Sequence, residues 1–139
     1  MGIDRERLRQ AARRAAEASY SPYSRFRVGA ALLCPDGTIV TGANIENRSY
    51  GLTICAERTA VASAVSQGRR AFLAVAVATP DSKTAVPPCG ACRQVLSEFA
   101  APATPVLCAG AEQTVETTLG ELYPFDSLHD LGGNLPRSG

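Results

Sequence analysis

Three cysteines and one glutamate stand at spacings that suit metal-assisted hydrolysis: Cys55-Ala56-Glu57, and further on Pro88-Cys89-Gly90-Ala91-Cys92. A Cys-x-x-Cys at a helix start lets both sulfurs converge on one point within a single turn. The helix dipole and the free first-turn N–H groups favour the thiolate there. Cys55 also falls at a predicted helix start, so two helix N-termini can face each other across one metal ion. Three protein ligands leave the fourth tetrahedral position of Zn²⁺ open, the usual mark of a catalytic site. Glu57 lies two residues after a ligand, near enough to reach a metal-bound water without being a ligand itself. Zinc lowers the pKa of such a water to about 7. The pattern predicts Cys55, Cys89 and Cys92 as ligands of one Zn²⁺ per subunit and Glu57 as the residue that moves protons.

Simpler readings compete with this one. A thioredoxin-like redox pair uses Cys89 and Cys92 but gives Cys55 and Glu57 no role. A closed structural zinc site needs a fourth ligand, for which His129, Cys34 and Cys108 are the sequence candidates. Cys34 and Cys108 fall in predicted apolar strands, where inert buried thiols are ordinary, and His129 sits in a polar tail. Three thiolates on Zn²⁺ leave a net charge of −1, which blunts its ability to acidify water. Arg58, directly after Glu57, can offset this by donating hydrogen bonds to the sulfurs. Alternatively it is a surface arginine of the second helix.

The elements that must position these residues can be read in order. Asp4 caps a first helix running to about Ser19, with Leu8, Ala11, Ala12, Ala15 and Ala18 near helical spacing. Ser21-Pro22-Tyr23-Ser24 breaks it. Val28 to Cys34 and Ile39 to Ala43 read as a hairpin around Pro35-Asp36-Gly37-Thr38. A polar stretch from Asn44 to Thr53 leads to a second helix from about Cys55 to Gln67, closed by Gly68. Phe72 to Thr79 is a continuous apolar strand, as in a sheet covered on both faces. A loop, Pro80 to Pro88, precedes a third helix from near Cys89 to before Pro102. Val106 to Ala109 is a short strand and Thr114 to Thr118 a more polar one at or near an edge. The tail begins with a helical turn at Leu119 and turns irregular by Gly132-Gly133. This order predicts an α/β fold, one mixed sheet with helices on both faces.

Composition narrows the function classes. A chain of 139 residues fits one domain, residues 1–139, and can bury about two thirds of its unfolded surface. Lysine plus arginine number 14 against 13 acidic residues, a net charge of +1 spread along the chain. That balance argues against a nucleic-acid polymer as partner, since phosphate backbones are met by concentrated basic faces. The N-terminus from Met1 to Ala16 lacks the apolar core of a signal peptide, and no apolar run is long enough to span a bilayer. Five cysteines, an odd number, in a chain without an export signal suggest reduced thiols or metal ligands. A cytoplasmic location is expected.

A ligand-x-Glu paired with Pro-Cys-x-x-Cys is the arrangement of zinc deaminases. Four segments sharpen it: Ser21-Pro22-Tyr23-Ser24-Arg25-Phe26-Arg27-Val28-Gly29-Ala30-Ala31-Leu32, Gly42-Ala43-Asn44-Ile45-Glu46-Asn47, Cys55-Ala56-Glu57-Arg58-Thr59-Ala60 and Pro88-Cys89-Gly90-Ala91-Cys92-Arg93-Gln94. In order and spacing the chain resembles the cytidine deaminase family, specifically its small homotetrameric, zinc-dependent type. The resemblance implies a three-layer α/β/α sandwich with a five-stranded mixed sheet. It implies hydrolysis of cytidine and/or 2′-deoxycytidine to uridine or deoxyuridine plus ammonia, in pyrimidine salvage. It also implies roles: Asn44 and Glu46 hydrogen-bond the ribose, chiefly its 3′-hydroxyl, and Phe26 packs on the pyrimidine. The Ala56 N–H and the Glu57 carboxylate read the Watson–Crick edge, and Tyr50 reaches a neighbouring subunit's sugar site. The partners implied are a small-molecule nucleoside and further copies of the chain in a homotetramer.

Two departures from the family pattern are visible. Members often carry proline where this chain has Arg27. The stretch Leu122 to Leu128 is shorter than the family's; Phe125 stands where a phenylalanine crosses a subunit interface to cover the base. Two other functions compete. One is deamination of another aminopyrimidine, such as a blasticidin-type nucleoside antibiotic or a base in RNA. The other is a non-catalytic zinc-stabilised binding module, which would tolerate loss of Glu57.

Overall fold

The computed structural model describes residues 2–129, so Met1 and the Gly132-Gly133 pair lie outside the described residues. Helix α1 spans Arg5–Ala15, and Asp4 caps it by accepting a hydrogen bond from the Arg7 N–H. A 3₁₀ turn, Ala16–Ala18, carries the chain on to Ser19, so the expected single helix ends in a tighter last turn. Strands β1 (Gly29–Leu33) and β2 (Ile39–Ala43) form the expected hairpin. Val28 stays outside the ladder because its N–H is taken by the Asn44 side-chain oxygen.

Helix α2 (Ala56–Ser66) begins after Cys55 and is closed by Gly68, whose φ of 84° is a conformation glycine adopts without strain. Strand β3 covers Ala74–Thr79, two residues shorter than its apolar run. Phe72 instead donates its N–H to the Phe99 carbonyl and packs ring to ring on Phe99 at 5.9 Å. Helix α3 (Gly90–Ser97) ends earlier than Pro102 requires, tightening through i→i−3 bonds from Glu98 and Phe99 to the carbonyls of Val95 and Leu96. Strands β4 (Pro105–Gly110) and β5 (Thr114–Thr118) follow, then the short α4 (Leu119–Leu122).

All five strands join one sheet in the order β2-β1-β3-β4-β5. The β3–β4 pair is parallel and the other pairs are antiparallel, so the sheet is mixed as expected. Every β3 residue is buried, because alternate side chains serve two cores. Ala74, Ala76 and Ala78 meet Leu8, Ala11 and Ala12 of α1. Val75 and Val77 point to the other side, against Ala60, Ala64 and Leu96 of α2 and α3. The result is three layers, with α1 on one face and α2 and α3 on the other. Strand β5 forms one edge, where an exposed Arg5–Glu116 ion pair ties α1 to it. Among the described residues no helix is long and apolar enough to cross a membrane.

Candidate active site

The site lies at one end of this sheet. Register places Gly29 of β1 beside both Ala43 of β2 and Ala78 of β3. Phe26, Val28, Asn44 and Thr79 therefore emerge at the same end, and the N-termini of α2 and α3 lie over it. Cys55 and Cys89 are the N-cap residues of α2 and α3, each with extended backbone, and Cys92 sits in the first turn of α3. The sequence placed these cysteines at helix starts, and that placement aims the sulfurs.

The three sulfurs lie within 4.8 Å of one another. Cys55 Sγ is 3.7 Å from Cys89 Sγ, which is 3.4 Å from Cys92 Sγ. Sulfurs on a tetrahedral Zn²⁺ at about 2.3 Å each would be about 3.8 Å apart, so the donor set fits that ion in type and in spacing. Among the described residues no fourth histidine, cysteine or carboxylate joins the group. The His129 ring is bonded to the Ser97 carbonyl oxygen. Cys34 and Cys108 are buried, and burial pushes both thiols up, Cys108 to about 11.

Charge around the sulfurs is organised by Arg58, whose Nη2 donates to Cys55 Sγ at 3.4 Å. A hydrogen bond from Cys92 and those from Arg58 and Cys89 hold the Cys55 thiol down at about 5, against the opposing effect of burial. Cys92 is correspondingly pushed up by its hydrogen bond to Cys55 and by burial. Glu57, on the first turn of α2, is 4% exposed. Burial raises its carboxyl to about 7, with the Cys55 charge adding to the rise and Arg58 opposing it. The guanidinium Nε of Arg58 is itself buried without a partner.

A cavity of about 190 Å³ opens beside these groups. Its walls include Phe26, Val28, Ala56, Val77, Val86 and Pro87, with Asn44, Cys55, Glu57, Thr79 and Cys89 among its polar or reactive members. A second hollow of about 350 Å³, lined by Tyr23, Ser24, Glu46, Tyr50 and Thr53, shares Thr53 with it. Together they match the size of small-molecule sites, about 300–1,000 Å³. Glu46 accepts the N–H groups of Tyr23 and Ser24 at 3.0 and 3.1 Å and is bonded to the Ser24 hydroxyl. Hydrogen bonding to Ser24 holds its carboxyl below the usual range. Asn44 accepts the Val28 N–H and donates to the Phe26 carbonyl at 2.8 Å, pinning the aromatic residue at the cavity wall. The stretch after it is stitched in place by a bridge from Ile45 to Ile54 and another from Tyr20 to Ile45.

Tyr50 is exposed on the second hollow, whereas Phe125, with a φ of 56°, is exposed and lines neither hollow. Arg27 makes a two-pronged ion pair with Asp81, whose carboxylate also accepts the Arg27 backbone N–H at 2.8 Å. Proline at this position would lose both the charge and that N–H. Sequence reasoning passed over Thr53, Thr79, Val86 and Pro87 as cavity residues. Thr79 had a signal: it is a polar residue at a core-facing position of an otherwise apolar strand.

Three thiols at two helix starts, a buried carboxyl beside them and an apolar cavity on an α/β/α sandwich define a metal-dependent hydrolytic site. Residues 3–108 match the family model described as "Cytidine and deoxycytidylate deaminase zinc-binding region". A cytidine deaminase of Halalkalibacterium halodurans is 53% identical over 123 residues, 88% of this chain and 92% of that protein. The crystal structure of a cytidine deaminase from Burkholderia pseudomallei superposes with a TM-score of 0.84 at 43% identity, covering 88% of this chain and 98% of that one. A Blasticidin-S deaminase of Bacillus cereus is 38% identical over 109 residues, 73% of this chain and 77% of that protein. The chain belongs to the zinc-dependent cytidine deaminase family, and it is a C–N hydrolase of that family.

Proposed function

We propose that the chain deaminates free cytidine and 2′-deoxycytidine, with Cys55, Cys89 and Cys92 holding Zn²⁺ and Glu57 transferring the protons. The observation that carries this reading is the buried Glu57 carboxyl on the wall of the cavity beside the three sulfurs. When bound there, Zn²⁺ supplies an acidified water as nucleophile. The Glu57 carboxylate can take a proton from water as the water oxygen bonds to C4, hand that proton to ring N3, then take the proton of the new C4 hydroxyl and deliver it to the departing amino group. Ammonia then leaves C4 and the base becomes uracil.

The remaining side chains divide binding between the two hollows. Phe26 supplies an aromatic wall for the planar base, and the Ala56 N–H lies at the start of α2, where first-turn donors are free to read a base edge. Glu46, held by Tyr23 and Ser24, presents a carboxylate to a sugar hydroxyl in the second hollow, with Asn44 in the first. This two-part site favours a free nucleoside over a nucleic-acid polymer. One catalytic domain over residues 1–139, a cytoplasmic place in pyrimidine salvage and a homotetramer complete the reading. Exposed Tyr20, Tyr23, Ile45, Tyr50, Leu52 and Ile54, several of them beside the sugar hollow, support the oligomer as apolar surface awaiting cover. Tyr50 is the residue offered to a neighbouring copy's sugar site, and Phe125 is an exposed group offered to cover the base across an interface.

A second reading, deamination of a nucleoside antibiotic, is favoured by the likeness to the Bacillus cereus protein. Steady-state kinetics on cytidine, deoxycytidine and blasticidin S separate the two. The proposal predicts kcat/KM at least about tenfold higher for the plain nucleosides, roughly 1.4 kcal/mol in transition-state binding. The reverse order would assign the antibiotic as substrate.

A further inference from the structure

Thr79 ends β3 at the mouth of the site, and strand alternation turns it toward the same side as Val75 and Val77. Those two valines pack in the core between the sheet and α2 and α3. Thr79 is just as buried, at 1% exposure, yet it replaces one methyl of valine with a hydroxyl. Its Oγ1 has no hydrogen-bond partner. An unpaired buried hydroxyl destabilises a fold, whereas valine of nearly the same shape would not. The hydroxyl therefore needs a partner that arrives from outside the chain, and Thr79 lines the cavity that also holds Phe26, Glu57 and Cys55.

The other neutral polar side chains of that cavity are already engaged. The Asn44 amide bonds to Val28 and Phe26, and the Thr53 hydroxyl accepts the Asn47 N–H. We propose that the Thr79 hydroxyl hydrogen-bonds the edge of the bound pyrimidine base, making Thr79 a specificity-determining residue. This rests on the nucleoside deaminase reading above. A hydroxyl both donates and accepts and rotates to suit. It can therefore serve a base in which an amino donor is replaced by a carbonyl acceptor during turnover. The bond is made to substrate and product alike, so it contributes to binding more than to the chemical step.

The test compares the zinc-loaded wild type with Thr79→Val and Thr79→Ser. It reads kcat and KM for cytidine, the dissociation constant for uridine by calorimetry, and the unfolding midpoint without ligand. Thr79→Val should raise KM and the uridine dissociation constant together by about 3- to 10-fold, the size of one neutral hydrogen bond. Its kcat should stay within about twofold, and its unfolding midpoint should be no lower than that of the wild type. Thr79→Ser should return both constants to within about twofold of the wild type. An active wild type with unchanged KM and uridine binding in Thr79→Val overturns this proposal alone. So does a lowered midpoint as the sole effect, or a serine variant that fails to rescue. A wild type that neither binds uridine nor turns over cytidine overturns the deaminase reading and this proposal with it.

Discussion

Cys55 and Arg58 show how a single turn of helix can tune a sulfur. The cysteine caps α2, and the arginine three residues later folds back to donate to it at 3.4 Å. A surface arginine has no such bond, so this contact supports the reading of Arg58 as a donor to the sulfurs. Arg58→Gln keeps a donor but loses the charge, and outer contacts of this kind are worth about 10–100-fold in metal affinity or activity. Zinc affinity by chelator competition, together with kcat, should fall within that range; equal values for wild type and variant would remove Arg58 from the site's electrostatics. The place of Glu57 beside the sulfurs, in the first turn of α2, was legible from its position two residues after Cys55. The carboxyl's raised protonation range was not, because that depends on burial by strands far away in sequence.

Elements bring these residues together through contacts that sequence patterns register only faintly. Gly42 of β2 shows why α2 can sit so close to the sheet. A Cβ there would stand 2.4 Å from the Ala60 backbone nitrogen and 2.8 Å from the Ala56 carbonyl oxygen. Gly42→Ala should push α2 outward, costing about 1–3 kcal/mol as overpacking does and displacing Cys55 and Glu57. Urea unfolding combined with turnover should show both losses, and a variant with wild-type stability and activity would contradict this account of the helix seat. The Arg27–Asp81 pair plays a similar part at the other wall. It ties the segment after Phe26 to the loop after β3, which leads on to Val86 and Pro87 at the cavity. Hydrogen bonds from Arg27 hold the Asp81 carboxyl at about 2. A carboxyl depressed on folding adds stability above its unfolded value of about 4, and that contribution is lost as pH falls through its folded value. Arg27→Ala should therefore lower the unfolding midpoint at neutral pH and flatten its fall in acid; superimposable pH profiles would contradict the pin. Helix and strand order was readable from apolar spacing, and the ends moved where a backbone N–H found a partner outside the ladder. Val28 left β1 for Asn44, and Phe72 left β3 for Phe99. Such exchanges depend on tertiary neighbours, which periodicity does not encode.

The whole molecule joins the two helix starts to one sheet end, so metal and fold support each other. Zinc bound by the native cluster and not by the open chain must stabilise the fold. Removing it with a chelator should lower the melting temperature, and adding Zn²⁺ back should restore it. A melting temperature indifferent to zinc would place the metal elsewhere. The homotetramer proposed above would cover the exposed aromatic and aliphatic residues around the second hollow and would give a native mass near four times the 14.5 kDa of one chain. A single sharp mass at the monomer value would remove Tyr50 from any neighbouring site. The sheet and the three-cysteine cluster were legible because they rest on local spacing and a short motif. Thr79 and the Arg27–Asp81 tie were not, because strand register and loop closure decide what each side chain meets. The most direct test of the central claim is ammonia release from cytidine by the zinc-loaded protein, with Glu57→Ala as the paired control. The account predicts stoichiometric ammonia and uridine from the wild type, and a loss of about 10²–10⁴-fold in the variant with zinc retained. Full turnover without Glu57, or no release from folded, zinc-loaded wild type, would contradict it.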